Sequence, residues 1–293
     1  MKLLITGAGG QVGKETAAAA AEHGFETAAL THQDLDIADK SAVKRIFHEV
    51  APSMVVNAAA YTAVDKAESE PDLATAVNEF GPANLAEACR AGGIPMIHLS
   101  TDYVFDGNQK RPYRETDPVN PAGVYGRSKA AGEAAVASRL DRHVILRTAW
   151  VFSSHGSNFV KTMIRLGRER DAIGVVDDQI GCPTDAAAIA RAILSICARY
   201  ADDPDLPWGT YHFCGAPTVT WYGFANRIFA AAQAAGIGLT LDTLEAITTA
   251  DYPTAAARPA NSVLDCGKIA AAFGIEAPDW RDGLSRVVKE LAV

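Results

Sequence analysis

Short, continuously apolar runs alternate with Ala-rich amphipathic segments through the first half of this chain. The runs fall at residues 2–6, 26–30, 54–57, 96–100 and 144–148, and 172–176 has the same character. The segments between them predict helices at 11–23, 40–50, 72–91, 125–138 and 158–168. A strand that is apolar at every position has no face to give to water, so it belongs inside a parallel sheet covered on both sides. Strands joined in series by helices build such a sheet through right-handed crossovers. The fold class is therefore α/β, a Rossmann-type doubly wound parallel sheet.

The rhythm changes after about Asp178. A helix at 185–199 leads into Asp202-Asp203-Pro204-Asp205-Leu206-Pro207, a surface loop by composition. A short strand at 210–214, a helix at 222–235, a stretch punctuated by Pro253 and Pro259, and a last helix after Trp280 follow. This irregular part predicts a smaller α/β substrate lobe, residues 178–293, closing a cleft against a Rossmann domain at 1–177, with the chain free to cross between them.

Charge narrows the function classes. Lys plus Arg is 27 against 35 Asp plus Glu, a net charge of −8. That balance argues against a nucleic-acid binder and against docking on an anionic membrane surface. No run approaches the ~20 apolar residues of a membrane span. The five cysteines, Cys89, Cys182, Cys197, Cys214 and Cys266, are scattered and odd in number, with no CxxC pair. A disulfide framework and a zinc site are not expected, and a reducing cytoplasm is.

The turn after the first run is Thr6-Gly7-Ala8-Gly9-Gly10-Gln11-Val12-Gly13. Its glycines recur every three residues at Gly7, Gly10 and Gly13. Gly7 makes the tight exit from the strand, Gly10 admits a pyrophosphate to the backbone, and Gly13 lets the helix pack close. The free N–H groups and positive dipole end of that helix suit phosphate. At the first strand of a strand–helix–strand pattern, this points to a dinucleotide. Asp36, in Leu35-Asp36-Ile37, can border an adenine or equally cap the next helix. The small residues Asn57-Ala58-Ala59-Ala60-Tyr61 leave room for a flat group at the carboxyl edge of the sheet.

Tyr125 and Lys129 stand at i and i+4 where a helix opens, so they share one face. An ammonium near a phenol favours the phenolate and pulls its pKa down from ~10. Such a tyrosine can exchange a proton with a carbonyl oxygen while hydride moves at the carbon. The hydroxyls of Ser100-Thr101 end the fourth strand beside the same cleft.

Together these features resemble the extended short-chain dehydrogenase/reductases that act on nucleotide sugars. Longer strings sharpen the likeness: Asn57 to Glu68 (NAAAYTAVDKAE), Ser100 to Gly107 (STDYVFDG), Arg147 to Phe152 (RTAWVF), Asp178 to Thr184 (DQIGCPT) and Arg258 to Ser262 (RPANS). They resemble the dTDP-4-dehydrorhamnose reductase family over nearly the whole chain. The resemblance implies reduction of the 4-keto group of dTDP-4-dehydro-L-rhamnose by NADPH or NADH. It makes Thr101, Tyr125 and Lys129 catalytic. It sets Gly10, Gln11 and Val12 on the pyrophosphate, Asp36 and Ile37 at the adenine, and Ala59, Ala60 and Tyr61 along the cofactor's middle. Lys129 would hold the nicotinamide ribose. Asp102, Tyr103, Val104, Trp150, Asn158, Arg258 and Asn261 would meet the substrate. By itself Trp150 reads as a core aromatic and Arg258 as a solvated surface cation.

Two departures matter. The basic residue usual after the second strand is His32 here, which leaves NADPH and NADH both open. Some members hold Mg²⁺ at a dimer contact through glutamates, one in the helix after the Gly-x-Pro-Thr turn. Here that helix begins Asp185-Ala186-Ala187-Ala188-Ile189, which speaks against the metal and a metal-dependent homodimer. Among alternatives, a 4,6-dehydratase would carry Glu after the Thr-Asp pair, where Tyr103 stands. A different ketoreductase or 4-epimerase shares the fold. A non-catalytic regulatory subunit would need no intact Tyr/Lys pair.

Overall fold

The computed structural model describes residues 1–292. Six strands form one parallel sheet: β1 (Lys2–Thr6), β2 (Glu26–Leu30), β3 (Met54–Asn57), β4 (Met96–Thr101), β5 (His143–Thr148) and β6 (Gly209–His212), in the order β6-β5-β4-β3-β1-β2. Alternate side chains feed two cores. Leu3, Ile5, Val56, Ile97 and Leu146 pack with α1 (Gln11–Ala20) and α6 (Ala186–Asp202). Leu4, Val55, Met96 and Ile145 pack with α2 (Lys40–Val50) and α3 (Gly81–Gly92) on the other face. Both faces are covered, as continuous apolar strands require. The order reverses between β1 and β3, which opens a crevice at their carboxyl ends where sheets of this kind bind ligands. The glycine turn and Ala58–Tyr61 both leave from that crevice.

The strand β6 pairs in parallel with β5, Tyr211 beside Leu146, and α6 packs along α1. Residues 186–212 therefore lie in the layers of the main sheet, so no single cut at 177/178 separates the two lobes. The smaller lobe is assembled from stretches on either side of them. Its core joins Phe152, Val160 and Ile173 with Phe224 and Ile228 of α7 (Trp221–Ala234) and with Trp280 and Leu284. Residues Ala172–Val176, which resemble another sheet strand in sequence, pair instead with Thr243–Ile247 in this lobe. That partner strand has no buried position, so its apolar signal is weak.

The helix expected at 72–91 is interrupted. It runs as Pro71–Thr75, a π turn at Ala76–Phe80, then α3. The Gly81 N–H donates to the carbonyl of Ala76, five residues back. Pro82 has no N–H for the Asn78 carbonyl four residues back, and the wider turn absorbs that missing bond. Gly132 packs against the same carbonyl, where a Cβ would come within 2.0 Å. Among the described residues, no helix is long and apolar enough to cross a membrane.

Candidate active site

The glycine turn is shaped by close approach. Gly7 has φ +72, and a Cβ there would lie 2.4 Å from the Ala59 nitrogen. A Cβ on Gly13 would lie 2.2 Å from the Gly7 carbonyl oxygen, so this glycine serves the turn itself as much as the helix–sheet contact. Gly10 is the N-cap of α1, and no side chain caps it. The first N–H groups of α1, from Gln11, Val12 and Gly13, are left for an anion. The side chain of Gln11 is already engaged, accepting from Ser153 Oγ at 3.0 Å and Asn158 Nδ2 at 2.8 Å. Asp36 is exposed and closes a turn on the Ala38 N–H. Ile37 is buried against Gly81, so only its backbone can face an adenine. Ala59, Ala60 and Tyr61 are half-buried beside the turn, with Tyr61 tied through its backbone to Asn78.

Thr101 ends β4 opposite Thr148 of β5. Its Oγ1 donates to Asp102 Oδ1 at 2.9 Å and accepts from the Tyr103 N–H at 3.2 Å. The helix α4 (Val124–Ala137) begins hard against this segment, because a Cβ on Gly126 would lie 2.2 Å from the Tyr103 carbonyl oxygen. Glu68 Oε1 accepts from the Val124 N–H at 2.8 Å and supplies the cap that Gly123 lacks. Tyr125 is thereby set edge-on to Tyr103, ring centroids 5.4 Å apart. Burial pushes the Tyr125 phenol up to about 12, with the facing Thr101 hydroxyl opposing. Lys129 is also buried, and its Nζ donates to the Leu99 carbonyl at 2.7 Å. Burial brings that ammonium down to about 8, with Glu133 opposing. The expected lowering of the phenol by Lys129 is thus not what this arrangement gives: desolvation governs both groups. Burial likewise raises the Asp102 carboxyl to about 6.

A buried ion pair lies behind these groups. Arg147 grips Glu133 at two points, Nε to Oε1 at 2.8 Å and Nη2 to Oε2 at 2.6 Å. The guanidinium also stacks over Phe105 at 5.0 Å and reaches His212 Nε2 at 3.4 Å. Burial, then the Arg147 charge, pushes His212 down to about 3, so its ring is neutral. Neither Glu133 nor Arg147 is a sequence candidate. The signal was a charge inside an apolar strand, which needs a partner, and an acid one turn beyond Lys129.

The expected substrate residues divide. Val104 is fully enclosed, packed with Phe105 and Tyr113, and its side chain cannot line the cleft. Asn158 caps α5 (Phe159–Glu169), and its amide serves Gln11 and Ser153. Asn261 donates to the Gln109 and Arg111 carbonyls and accepts from the Val263 N–H, which ties loops together. Both amides are thus engaged within the protein, since short polar side chains satisfy nearby groups first. Trp150 adopts φ +47 and stacks flat on Trp221, centroids 3.4 Å apart. Trp221 lines a cavity of about 590 Å³ in the smaller lobe together with Phe159, Arg165, Gln179, Tyr252 and Arg258. Thr101 and Tyr125 do not line it. The link is Arg258, whose Nη2 donates to Asp65 Oδ2 at 2.6 Å while both charges act on the Tyr103 phenol.

A buried tyrosine beside a threonine, a lysine on the same helix face and an uncapped glycine turn all stand at one crevice. A family model described as the RmlD substrate binding domain matches residues 1–293. A dTDP-4-dehydrorhamnose reductase of Aggregatibacter actinomycetemcomitans is 46% identical over 287 residues, 98% of each chain. The chain belongs to the dTDP-4-dehydrorhamnose reductase family. A crystal structure of such a reductase from Clostridium acetobutylicum superposes with a TM-score of 0.91 at 39% identity, covering all of both chains. One from Bacillus anthracis, in complex with NADP, gives 0.90 at 35% identity over 99% of each. Likeness to this family thus extends over both lobes, and the protein is an NAD(P)H-dependent oxidoreductase.

Proposed function

We propose that this chain reduces the 4-keto group of dTDP-4-dehydro-L-rhamnose to give dTDP-L-rhamnose, the last step of dTDP-rhamnose synthesis, with NADPH or NADH. The glycine turn suits a dinucleotide: Gly7 and Gly13 let it close on its own backbone, where a Cβ would clash with Ala59 and Gly7, and no side chain caps the N–H groups of Gln11, Val12 and Gly13, which leaves them for a phosphate. Ala59, Ala60 and Lys129 would border the rest of it. A bound reduced nicotinamide supplies the hydride for C4.

The chain's own residues then handle the oxygen. Tyr125 donates its phenolic proton to the C4 oxygen as that atom gains negative charge. Its raised pKa keeps the proton in place until then. The Thr101 hydroxyl, whose proton here points to Asp102 Oδ1, would turn that proton to the keto oxygen and so orient it. Lys129, anchored on the Leu99 carbonyl, would hold ribose hydroxyls. The Trp221 cavity would take the nucleotide and Arg258 the diphosphate. A homodimer and a cytoplasmic setting belong to the same proposal.

The observation that carries this reading is the Thr101–Tyr125 pair, buried at the crevice beside the glycine turn. The test is to mix protein, reduced nicotinamide nucleotide and the 4-keto sugar nucleotide, and to follow nicotinamide absorbance and product by mass. Cofactor oxidation with appearance of dTDP-rhamnose is expected. Turnover of a different 4-keto nucleotide sugar, with none of this one, overturns the substrate assignment.

A further inference from the structure

Four charged side chains meet where the glycine-turn helix, the start of α6 and the C-terminal helix come together. Arg286 lies on α8 (Trp280–Leu291). Its Nη2 is 2.8 Å from Asp185 Oδ1 and 3.9 Å from Glu15 Oε1, and its Nη1 is 2.6 Å from Glu290 Oε1. Asp185, the N-cap of α6, is buried, and its Oδ1 also accepts from the Ala187 N–H at 3.1 Å. Glu15 comes from α1, and His155 Nε2 lies 3.7 Å from it. The approach is set by Gly283, where a Cβ would come within 2.6 Å of the Asp185 Cβ. One turn further along α8, the guanidinium comes to lie over the carboxylate.

The resemblance implies Mg²⁺ held by carboxylates, one of them on the helix after the Gly-x-Pro-Thr turn. That helix is α6, and the carboxylate at its start is Asp185, already bound to Arg286. A hard divalent cation takes about six oxygen ligands and cannot share its place with a guanidinium. The residues present do not fit the ion. They do need a cation: burial raises the Glu15 carboxyl, Asp185 and Glu290 add to this, and Arg286 opposes it.

We infer that Arg286 is the resident cation of this junction, holding the three carboxylates as a divalent ion would, so that this chain draws no stability from Mg²⁺ there. The arginine joins the helix of the glycine turn to the smaller lobe without a metal.

Thermal unfolding tests this. The wild-type midpoint is expected to stay level in EDTA and throughout a Mg²⁺ titration. Arg286→Met keeps an apolar stem but removes the charge, and should lower the midpoint by roughly 5 °C. Mg²⁺ or Mn²⁺ should then raise the variant's midpoint saturably and leave the wild type unmoved. Adding Glu15→Gln to Arg286→Met should recover part of the loss with no metal. A wild-type midpoint that rises with Mg²⁺ or falls with EDTA overturns the inference. So does an Arg286→Met protein as stable as wild type, or one that is weaker yet indifferent to the metals. If that variant does not fold, the wild-type titration decides, alongside Arg286→Lys, expected to fold and ignore the metals.

Discussion

Tyr125 and Lys129 share a face of α4, yet they rest on different walls: Lys129 Nζ bonds the Leu99 carbonyl at 2.7 Å, while the Tyr125 ring stands edge-on to Tyr103 at 5.4 Å. The phenol keeps its proton and the ammonium is the group closer to losing one. Proton donation and cofactor holding are thus separable. Tyr125→Phe removes the donor with little change of volume. Turnover should fall on the order of 10²–10⁴-fold, with cofactor affinity nearly unchanged. Stopped-flow turnover and cofactor fluorescence titration check both; near-wild-type turnover contradicts the assignment.

The Lys129 ammonium, brought down to about 8, gives a pH dependence. Its charge is present below that value and lost as pH rises through it. Turnover divided by KM for the cofactor, which reports the free enzyme, should be level near pH 7 and fall above about 8. Lys129→Arg keeps a charge at every pH, so any remaining activity should lose that alkaline limb. An unchanged limb would assign it to another group.

The buried pair Glu133–Arg147 sets a stability prediction. Glu133→Ala strands a guanidinium among Phe105 and His212, at a cost of about 3–5 kcal/mol. Replacing both partners by apolar residues, Glu133→Leu with Arg147→Met, should restore most of this. Urea unfolding of the three proteins measures it. Equal losses in single and double variants would mean that packing, not the stranded charge, sets the cost.

The sheet strands and the glycine turn were legible because they depend on local pattern: continuous apolar runs for β1, β3, β4 and β5, and glycines where the backbone must pass within contact distance. The placement of Thr101 at a strand end and of Tyr125 and Lys129 on one helix was legible for the same reason, since both are short-range objects. The place of β6 was not, because Gly209–His212 carries no mark of its partner and joins β5 only through the packing of α6 on α1. Asn158 and Asn261 show what sequence leaves undivided: an asparagine beside a site looks the same whether its amide meets a ligand or, as here, neighbouring protein groups. Trp221 stands just before the stretch expected as a helix, and only its stacking on Trp150 marks it as a wall.

His32 is exposed just after β2, and Asp34 beside it is engaged by the Thr31 hydroxyl at 2.7 Å and N–H at 2.9 Å. A 2′-phosphate at this point wants a fixed cation. His32→Arg should raise the NADPH-to-NADH affinity ratio by roughly 10-fold, about one charge-assisted hydrogen bond. Titrating both cofactors decides it, and an unmoved ratio places the ribose end elsewhere.

Arg258 carries one partner and one vacancy. Its Nη2 is held by Asp65 Oδ2 at 2.6 Å, while its Nη1 is buried without a hydrogen-bond partner. A buried guanidinium N–H left open is costly, and a diphosphate oxygen would satisfy it. Asp65 fixes one edge of the fork, and both residues stand in the wall of the smaller-lobe cavity. Removing the arginine does two things: it takes away the donor and leaves the Asp65 carboxylate facing an anionic substrate. Arg258→Ala should therefore raise KM for the sugar nucleotide by about 10–100-fold, the worth of a charged hydrogen bond, with KM for the cofactor unchanged. Arg258→Lys should recover only part of this, since one ammonium cannot serve Asp65 and the diphosphate as a planar fork does. Adding Asp65→Asn to Arg258→Ala should lower KM again by removing the repulsion. Steady-state kinetics with each substrate varied in turn separates these outcomes. A loss confined to cofactor KM would place Arg258 on the other side of the cleft, and a double variant no better than Arg258→Ala would remove Asp65 from the account.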